Sequence, residues 1–473
     1  MKLYGYEVTN ITDDTRKVVS GSLYVAIKGE NFDGESAAEE MLKRGAAAVL
    51  TQTDLHLEKQ ILVENVRSEF AKTASGFYGN PTCGLRLIAV TGTNGKTTTA
   101  TLIKAILEGQ GYKCGFIGTT GYDVCDPTGK VEPSIFSTPR QDELYRLFAE
   151  MRQNGADFCV MEASSQALDQ FRIAGETFAV GVFTNLTQDH LDWHKTMENY
   201  YQAKKTLFRM CESAVICIDD KYGVRLTEEL QKESDIPITT YSINEPSGVY
   251  GVNIKTSCSG VSYWLADSAA EKSFPFKFRM PGRFNVANSI AAITVCKNVG
   301  VDLEASITTL EEFRGVRGRC EVIYSGKFTV ICDYAHTEDA LAKILTCIRG
   351  FAARRIICVF GAAGERDSAK RPSMGATAAK YADFLVITSD NPRFEEPQKI
   401  IDDVVEGIPN DSTPYETFTD RRAAIEFAVN EAESEDVILL AGKGHETYQD
   451  IMGIKHPFDE KAMVQEILSE LRE

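Results

Sequence analysis

Short apolar runs, each ending in a cluster of polar residues and glycine, recur along most of the chain and alternate with stretches of helical periodicity. Leu87–Val90, Phe158–Glu162, Val180–Thr184 and Ala214–Ile218 are such runs in the middle of the sequence. Thr329–Cys332, Arg355–Phe360, Phe384–Thr388 and Asp436–Leu440 are four more towards its end. Strands that are apolar on both faces and separated by helices predict an α/β fold with largely parallel sheets covered on both sides. Near the start, Ser22–Lys28 and Ala46–Thr51 predict strands, and Ala37–Arg44 predicts a helix stopped at Gly45. Residues 248–280 differ: Val261–Leu265 and Phe274–Phe278 alternate apolar and polar residues and predict antiparallel strands. The turn cluster Gly79–Thr82 and the Gly-rich Arg314–Arg319 mark two boundaries. Three domains are therefore expected: a small α/β domain at 1–84, a central P-loop-type domain with a mostly parallel sheet at 85–315, and a doubly wound, Rossmann-like domain at 316–473.

The length of 473 residues gives each domain room for its own core. A formal charge of −17 argues against nucleic acid or an anionic membrane as partner, so an anionic ligand has to be met by local basic clusters. The 12 cysteines include no C-x-x-C pair, and Cys217, Cys332 and Cys358 fall in apolar strands as small core residues, which points to a reduced, cytoplasmic setting. No stretch approaches the length of an apolar membrane span, and Met1–Val8 has no apolar core of a signal peptide.

The first strand of the central domain runs into Thr91-Gly-Thr-Asn-Gly-Lys-Thr-Thr98 and then a helical stretch, Thr97–Leu107. Gly92 and Gly95 let the backbone of Thr93 and Asn94 curl so that its N–H groups face phosphate oxygens. Lys96 adds a point charge, Thr97 offers Mg²⁺ a hydroxyl, Thr98 follows it, and the helix N-terminus favours anions. Val90 stands where the general G-x₄-G-K-[ST] pattern has its first glycine. A nucleoside triphosphate is the expected ligand.

Further polar groups stand where open α/β sheets place ligands, at the carboxyl ends of strands. Glu162, in Met161–Gln166, and His190, in Phe183–Asp192, are expected to serve Mg²⁺ near the phosphates. Asp333 can accept from a ribose or can cap the following helix; local sequence leaves both open. Arg366, in Gly361–Arg371, and Arg393, in Asp390-Asn391-Pro392-Arg393, are expected side by side as a bidentate carboxylate site, against the bland alternative of solvated turn arginines. Ala441–Glu446 brings Gly442 for close backbone approach and Glu446 for an ammonium group. These loops describe a pocket for a zwitterion. The residues alone fit either a kinase acting on a hydroxyl of that ligand or an amide ligase that activates a carboxylate for attack by its amine.

These motifs, in this order, resemble those of the Mur ligases, and most closely the MurE type. The resemblance rests on Thr15–Val18, Gly21–Ala26, Thr91–Thr98, Ser137–Pro139, Asn185–Asp192, Gly282–Asn288, Asp333–His336, Gly364–Asp367 and Gly442–Glu446. It implies an ATP-dependent ligase that adds an amino acid to a UDP-linked muramoyl peptide through an acyl phosphate, in the cytoplasm. By the same resemblance, Lys96 and Thr97 handle the ATP phosphates and a first Mg²⁺, and Glu162 and His190 hold a second. Lys204 matches the lysine that the family carbamylates with CO₂. Asn288, Arg319 and Asp333 match nucleotide positions; Thr15, Ser137, Thr138, Ser164, Gln170 and Arg172 match positions for the UDP-muramoyl peptide. Asp390–Arg393 resembles the signature of members that add meso-diaminopimelate, whose second carboxylate Arg393 and Arg366 would pair, to UDP-MurNAc-L-Ala-D-Glu. A monomer is expected. Glu35, Gln166 and Arg317 depart from the family pattern, which keeps a relative extending another acceptor, or adding another amino acid, as the competing reading.

Overall fold

A computed structural model describes residues 1–29, 32–410 and 412–470. Chain contacts gather these into two compact units: 1–186 with 193–241 and 291–306, and 187–192 with 242–290 and 307–473.

The first unit contains two parallel-rich sheets. Asn10–Thr12, Ser22–Val25, Ala48–Thr51 and Gln60–Leu62 pair in chain order, all parallel. The helix Val66–Phe77, capped by Asn65 through the Ser68 amide, buries Val66, Phe70, Ala71 and Ala74. The larger sheet runs Cys114–Gly118, Phe158–Glu162, Arg86–Thr91, Phe178–Phe183, Ala214–Cys217 and Ile238–Ser242, all parallel. Gly121–Asp123 and Val131–Glu132 extend it antiparallel beside Cys114–Gly118. Arg86–Thr91 lies between Phe158–Glu162 and Phe178–Phe183, so the loop after it and the polar residues ending those two neighbours share one sheet edge. The central strands Arg86–Thr91 and Phe158–Glu162 are mostly apolar and, but for Arg86, buried along their length because both faces are covered.

The second unit holds the antiparallel strands Val249–Ser257, Gly260–Asp267 and Lys272–Phe278, as their alternation predicts. Its main sheet has the order Glu321–Ser325, Thr329–Asp333, Val437–Ala441, Ile356–Phe360, Phe384–Thr388 and Tyr415–Phe418. Only the first of these is antiparallel to its neighbour. Two apolar layers cover the sheet. Glu338–Arg349, Lys370–Tyr381 and Pro397–Val405 supply one, and Arg421–Glu431 and Glu460–Glu470 the other. A hairpin, Tyr448–Ile451 with Ile454–Pro457, follows the last parallel strand. The chain is thus an α/β protein built on parallel-rich sheets. Among the described residues no helix is long and apolar enough to cross a membrane.

Candidate active site

The turn after Arg86–Thr91 exists because two of its residues are glycine. Gly95, at φ +84°, opens the helix Lys96–Gly109. Gly92, at φ +146°, lies so close to Thr184 that a Cβ would stand 1.9 Å from its Oγ1. Thr184 and Asn185, at the end of a neighbouring strand, pin the loop. The Thr93 amide donates to the Asn185 carbonyl (2.9 Å), the Asn94 amide to Asn185 Oδ1 (3.0 Å), and Thr184 Oγ1 to the Asn94 carbonyl (2.7 Å). Thr97 and Thr98 are buried in the first helical turn.

Three side chains from separate elements meet this loop. Lys96 Nζ folds back onto the carbonyls of Gly92 (3.0 Å) and Thr93 (2.8 Å). Lys204, 1% exposed on the helix Met197–Lys205, donates from Nζ to the same Gly92 carbonyl at 2.9 Å and lies 4.6 Å from the centre of the Tyr200 ring. Glu162, also 1% exposed, ends its strand with Oε1 accepting from Thr97 Oγ1 (2.9 Å) and the Thr119 amide (2.7 Å), and Oε2 from Thr119 Oγ1 (3.1 Å). Lys96, Thr97, Glu162 and Lys204 are therefore brought together, although they span more than a hundred positions of sequence. A buried carboxylate bonded to a hydroxyl is a hard oxygen set that suits Mg²⁺, which takes one or two carboxylates and completes its shell with phosphate oxygens and water. His190, at φ +51°, belongs to the second unit, where its Nε2 lies 3.5 Å from Asp189 Oδ2.

Beside Glu162 a second cluster forms. Thr138 Oγ1 donates to the Glu162 carbonyl (2.8 Å) and accepts from the Ser164 amide (3.1 Å), while the Thr138 carbonyl takes Arg172 Nη1 at 2.5 Å. Gln170 Oε1 accepts from Arg172 Nη2 (2.8 Å), and burial pulls the Arg172 guanidinium down to about 10. Ser164 caps the helix Ser165–Asp169, and Ser137, half-buried, precedes Thr138. Thr15 lines a separate cavity of 230 Å³ with Asp13, Asp14, Arg16, Phe32 and Arg140. Of the departing residues, Glu35 opens a short turn and accepts from Thr51 Oγ1 at 3.4 Å. Sequence reasoning missed His194, 4% exposed, which stacks on Tyr200 (5.0 Å) and meets Ser165 Oγ at 2.9 Å.

In the second unit the strand ends of the main sheet converge. Asp333 accepts the amides of Cys320 (2.7 Å) and Ala335 (2.8 Å); burial pushes its carboxyl up against the opposing pull of Arg319. The Arg319 guanidinium lies 4.7 Å from the Tyr334 ring centre. Asn288 Nδ2 donates to Asn285 Oδ1 at 3.1 Å. Asp390, Asn391 and Pro392 are buried, and a Cβ on Gly442 would stand 2.4 Å from Asp390 Oδ2. Arg393, at φ +53°, joins the hairpin through the Asp450 carbonyl (3.0 Å) and the Met452 amide (2.8 Å), and its Nη1 donates to the Gly364 carbonyl at 2.6 Å. Glu446 Oε2 accepts from Asn391 Nδ2 at 2.9 Å. Arg366 is exposed on the same loop as Gly364, and among the described residues it makes no hydrogen bond or ion pair. Lys443 was not among the expected site residues, yet it is fully buried between Asn391 and Glu446. Its signal was local: a lysine between two glycines at a strand's carboxyl end.

Three family descriptions match in chain order: the Mur ligase family catalytic domain over residues 7–76, the Mur ligase middle domain over 90–296 and the Mur ligase glutamate ligase domain over 318–444. The UDP-N-acetylmuramoyl-L-alanyl-D-glutamate–2,6-diaminopimelate ligase of Caldanaerobacter subterraneus is 43% identical over 98% of this chain and 95% of its own. The like-named Bacillus cereus protein is 40% identical over 98% and 94%. A solved structure of a ligase of that name superposes with a TM-score of 0.70 at 32% identity, covering 98% of this chain and 96% of the other. MurF of Thermotoga maritima, solved with ADP, shares the fold at a TM-score of 0.62 and 17% identity, covering 98% and 96%. A phosphate loop backed by a buried lysine and glutamate, a strand-end pocket of mixed charge, and this likeness over the whole length agree: the chain belongs to the Mur ligase family.

Proposed function

We propose that the chain is an ATP-dependent amide ligase that joins meso-diaminopimelate to UDP-MurNAc-L-Ala-D-Glu in the synthesis of a peptidoglycan precursor in the cytoplasm. The observation that carries this reading is the Asp390–Arg393 strand end, where a guanidinium and the Glu446 carboxylate stand on adjoining loops, as a zwitterionic substrate requires. The relatives named for this reaction support it.

In this reading residues 1–84 bind the uridine nucleotide through Thr15, 85–315 bind ATP, and 316–473 bind the amino acid. The loop Gly92–Thr98, whose Thr93 and Asn94 amides are anchored on Asn185, holds the ATP phosphates through Lys96 and the N-terminus of the helix that it opens, and orients the terminal phosphoryl group towards an acceptor carboxylate. Asn288, Arg319 and Asp333 contact the rest of the nucleotide. Thr97, Glu162, His190 and Lys204 are the Mg²⁺ residues. Bound there, the ion would neutralise charge building on the transferring phosphoryl oxygens. CO₂ would add to the Lys204 amine once its ammonium form has given up a proton, and a second proton leaves as the carbamate forms, so that a cationic arm becomes an anionic carboxylate. Ser137, Thr138, Ser164, Gln170 and Arg172 hold the muramoyl peptide, Arg172 as a cation made less basic by burial. Transfer yields ADP and an acyl phosphate. Glu446, Asn391 and Gly442 hold an ammonium group of the amino acid; its reacting amino group, as the free amine, attacks the acyl carbon, phosphate leaves, and the nitrogen gives up a proton as the amide forms. Arg393, with Arg366, pairs the distal carboxylate that L-lysine lacks, so lysine forgoes that charge-assisted pairing.

Phosphate release in the presence of UDP-MurNAc-L-Ala-D-Glu and ATP tests the proposal. Release is expected with meso-diaminopimelate and to be far slower with L-lysine. Release with neither refutes the reaction, and preference for lysine refutes the role of Arg393.

A further inference from the structure

Lys443 has no exposed surface, a costly place for an ammonium unless its surroundings repay it. Its Nζ donates to Asn391 Oδ1 at 3.0 Å and to Glu446 Oε2 at 3.2 Å, and lies 4.0 Å from Asp390 Oδ1. Two rings flank it, Tyr448 at 5.9 Å and Phe458 at 6.0 Å from their centres. The ammonium therefore joins three polar residues from two strand ends.

The consequences for Asn391 and Glu446 are specific. Asn391 Oδ1 also accepts from the Asp450 amide at 2.9 Å, so two donors converge on it and the reversed amide would face both with its own donor. The orientation of Asn391 is thereby set, with Nδ2 turned to Glu446 Oε2 at 2.9 Å. Glu446 has one oxygen taken by Lys443 and Asn391; among the described residues the other has no hydrogen-bond partner. Charge follows the same logic. Asp390, Glu446 and Asp450 are balanced by Lys443, Arg393 and Arg366, so the strand-end cluster is neutral, as is diaminopimelate with its two ammonium and two carboxylate groups; L-lysine carries a net positive charge.

We infer that Lys443 is a positioning and specificity residue of the amino-acid site: it orients Asn391 and Glu446 and sets the charge that favours a neutral diamino diacid over a cationic amino acid. This rests on the proposed ligase reaction. The substitution Lys443→Met keeps an unbranched chain and removes the charge, leaving the cluster net negative. The KM for meso-diaminopimelate is expected to rise about tenfold or more, while the inhibition constant of L-lysine as competitor stays level or falls, from the Coulomb term alone. KM for ATP and for the UDP-linked acceptor should stay within about twofold, since Lys443 touches neither proposed site.

The experiment is phosphate-release kinetics on the full chain, with thermal melting of each variant. A raised KM for meso-diaminopimelate with the L-lysine constant level or lower supports the inference, because lost packing alone would weaken both. Equal weakening of both, or no change in either, overturns it. Where K443M does not fold, K443Q and K443R are compared: Gln keeps a donor for Asn391 without the charge and should lose the preference, and Arg keeps the charge and should retain more of it. Equal preference in both overturns the inference. Absence of turnover by the parent enzyme sinks the reaction and this role with it; turnover with unchanged preference in the variants sinks this role alone.

Discussion

Glu162→Gln separates a structural from a functional role for the buried carboxylate. Glu162 accepts three hydrogen bonds, from the Thr119 amide, Thr97 Oγ1 and Thr119 Oγ1. With the Gln amide oxygen at the Oε1 position, the first two persist. The NH₂ then faces Thr119 Oγ1, a hydroxyl that rotates to accept, so no buried donor is stranded. Three charge-assisted bonds become neutral ones, a loss of about 1 kcal/mol each at most. Against this, a group 1% exposed no longer has to be ionised in the interior, a relief of several kcal/mol. The terms oppose, and the free energy of unfolding should move by no more than about 1 kcal/mol. Turnover should not survive so well. Losing an anionic oxygen for a divalent cation costs roughly 3–4 kcal/mol in the transition state, or about 100- to 1000-fold at 1.36 kcal/mol per decade. Urea denaturation at neutral pH measures the first quantity, and phosphate release across a Mg²⁺ titration the second. A variant that keeps turnover within about fivefold, or that unfolds several kcal/mol more easily, would refute the assignment; both limits follow from the same magnitudes.

Two further predictions follow from neighbouring lysines. Lys204→Ala should abolish turnover, and added acetate or propionate should partly restore it by supplying the missing carboxylate; failure of any such rescue leaves Lys204 as a buried lysine bonded to the Gly92 carbonyl. Lys205 is held instead by Glu229 and Glu233, at 2.7 Å each. Burial pushes the Glu229 carboxyl up, but Lys205, Tyr201 and Arg225 outweigh it and hold it down at about 2. A depressed carboxyl stabilises the fold above its unfolded pKa, and that contribution fades as the pH falls towards the folded value. Glu229 is partly exposed, so screening reduces the contribution to about 1 kcal/mol. Glu229→Gln should therefore unfold more easily than the parent at neutral pH, with the gap narrowing below about pH 4.5. Urea melts across that range measure it, and a gap independent of pH would contradict the reasoning.

The parts of the site that could be read from sequence are those whose chemistry is announced by position. Leu87–Val90 is apolar and followed by glycines, so the strand Arg86–Thr91 and its loop are legible, and Glu162 stands out as an acid closing an apolar run. The edges of the sheets are not. Glu321–Ser325 and Tyr415–Phe418 are only half-buried or exposed, so neither a continuous apolar run nor a clean alternation marks them. Arg366 and Arg393 illustrate a second limit. Their loops turn through left-handed residues, Glu365 and Arg393 both at φ +53°, which no residue type there foretells. Arg393 consequently has its guanidinium on the Gly364 carbonyl, and Arg366 is left exposed. Lys443 and Arg421 show the third. Arg421 is buried against Glu460 at 2.8 Å and donates to the Ala441 carbonyl, one residue before Gly442, so it holds the strand end from behind. A motif picks out groups that a ligand will complete, whereas Lys443, and Nε and Nη2 of Arg421, are bonded within the protein itself. Their partners lie up to tens of residues away and only the fold brings them near, so the charge balance of the pocket emerges from tertiary structure, although every charge in it is visible in the sequence.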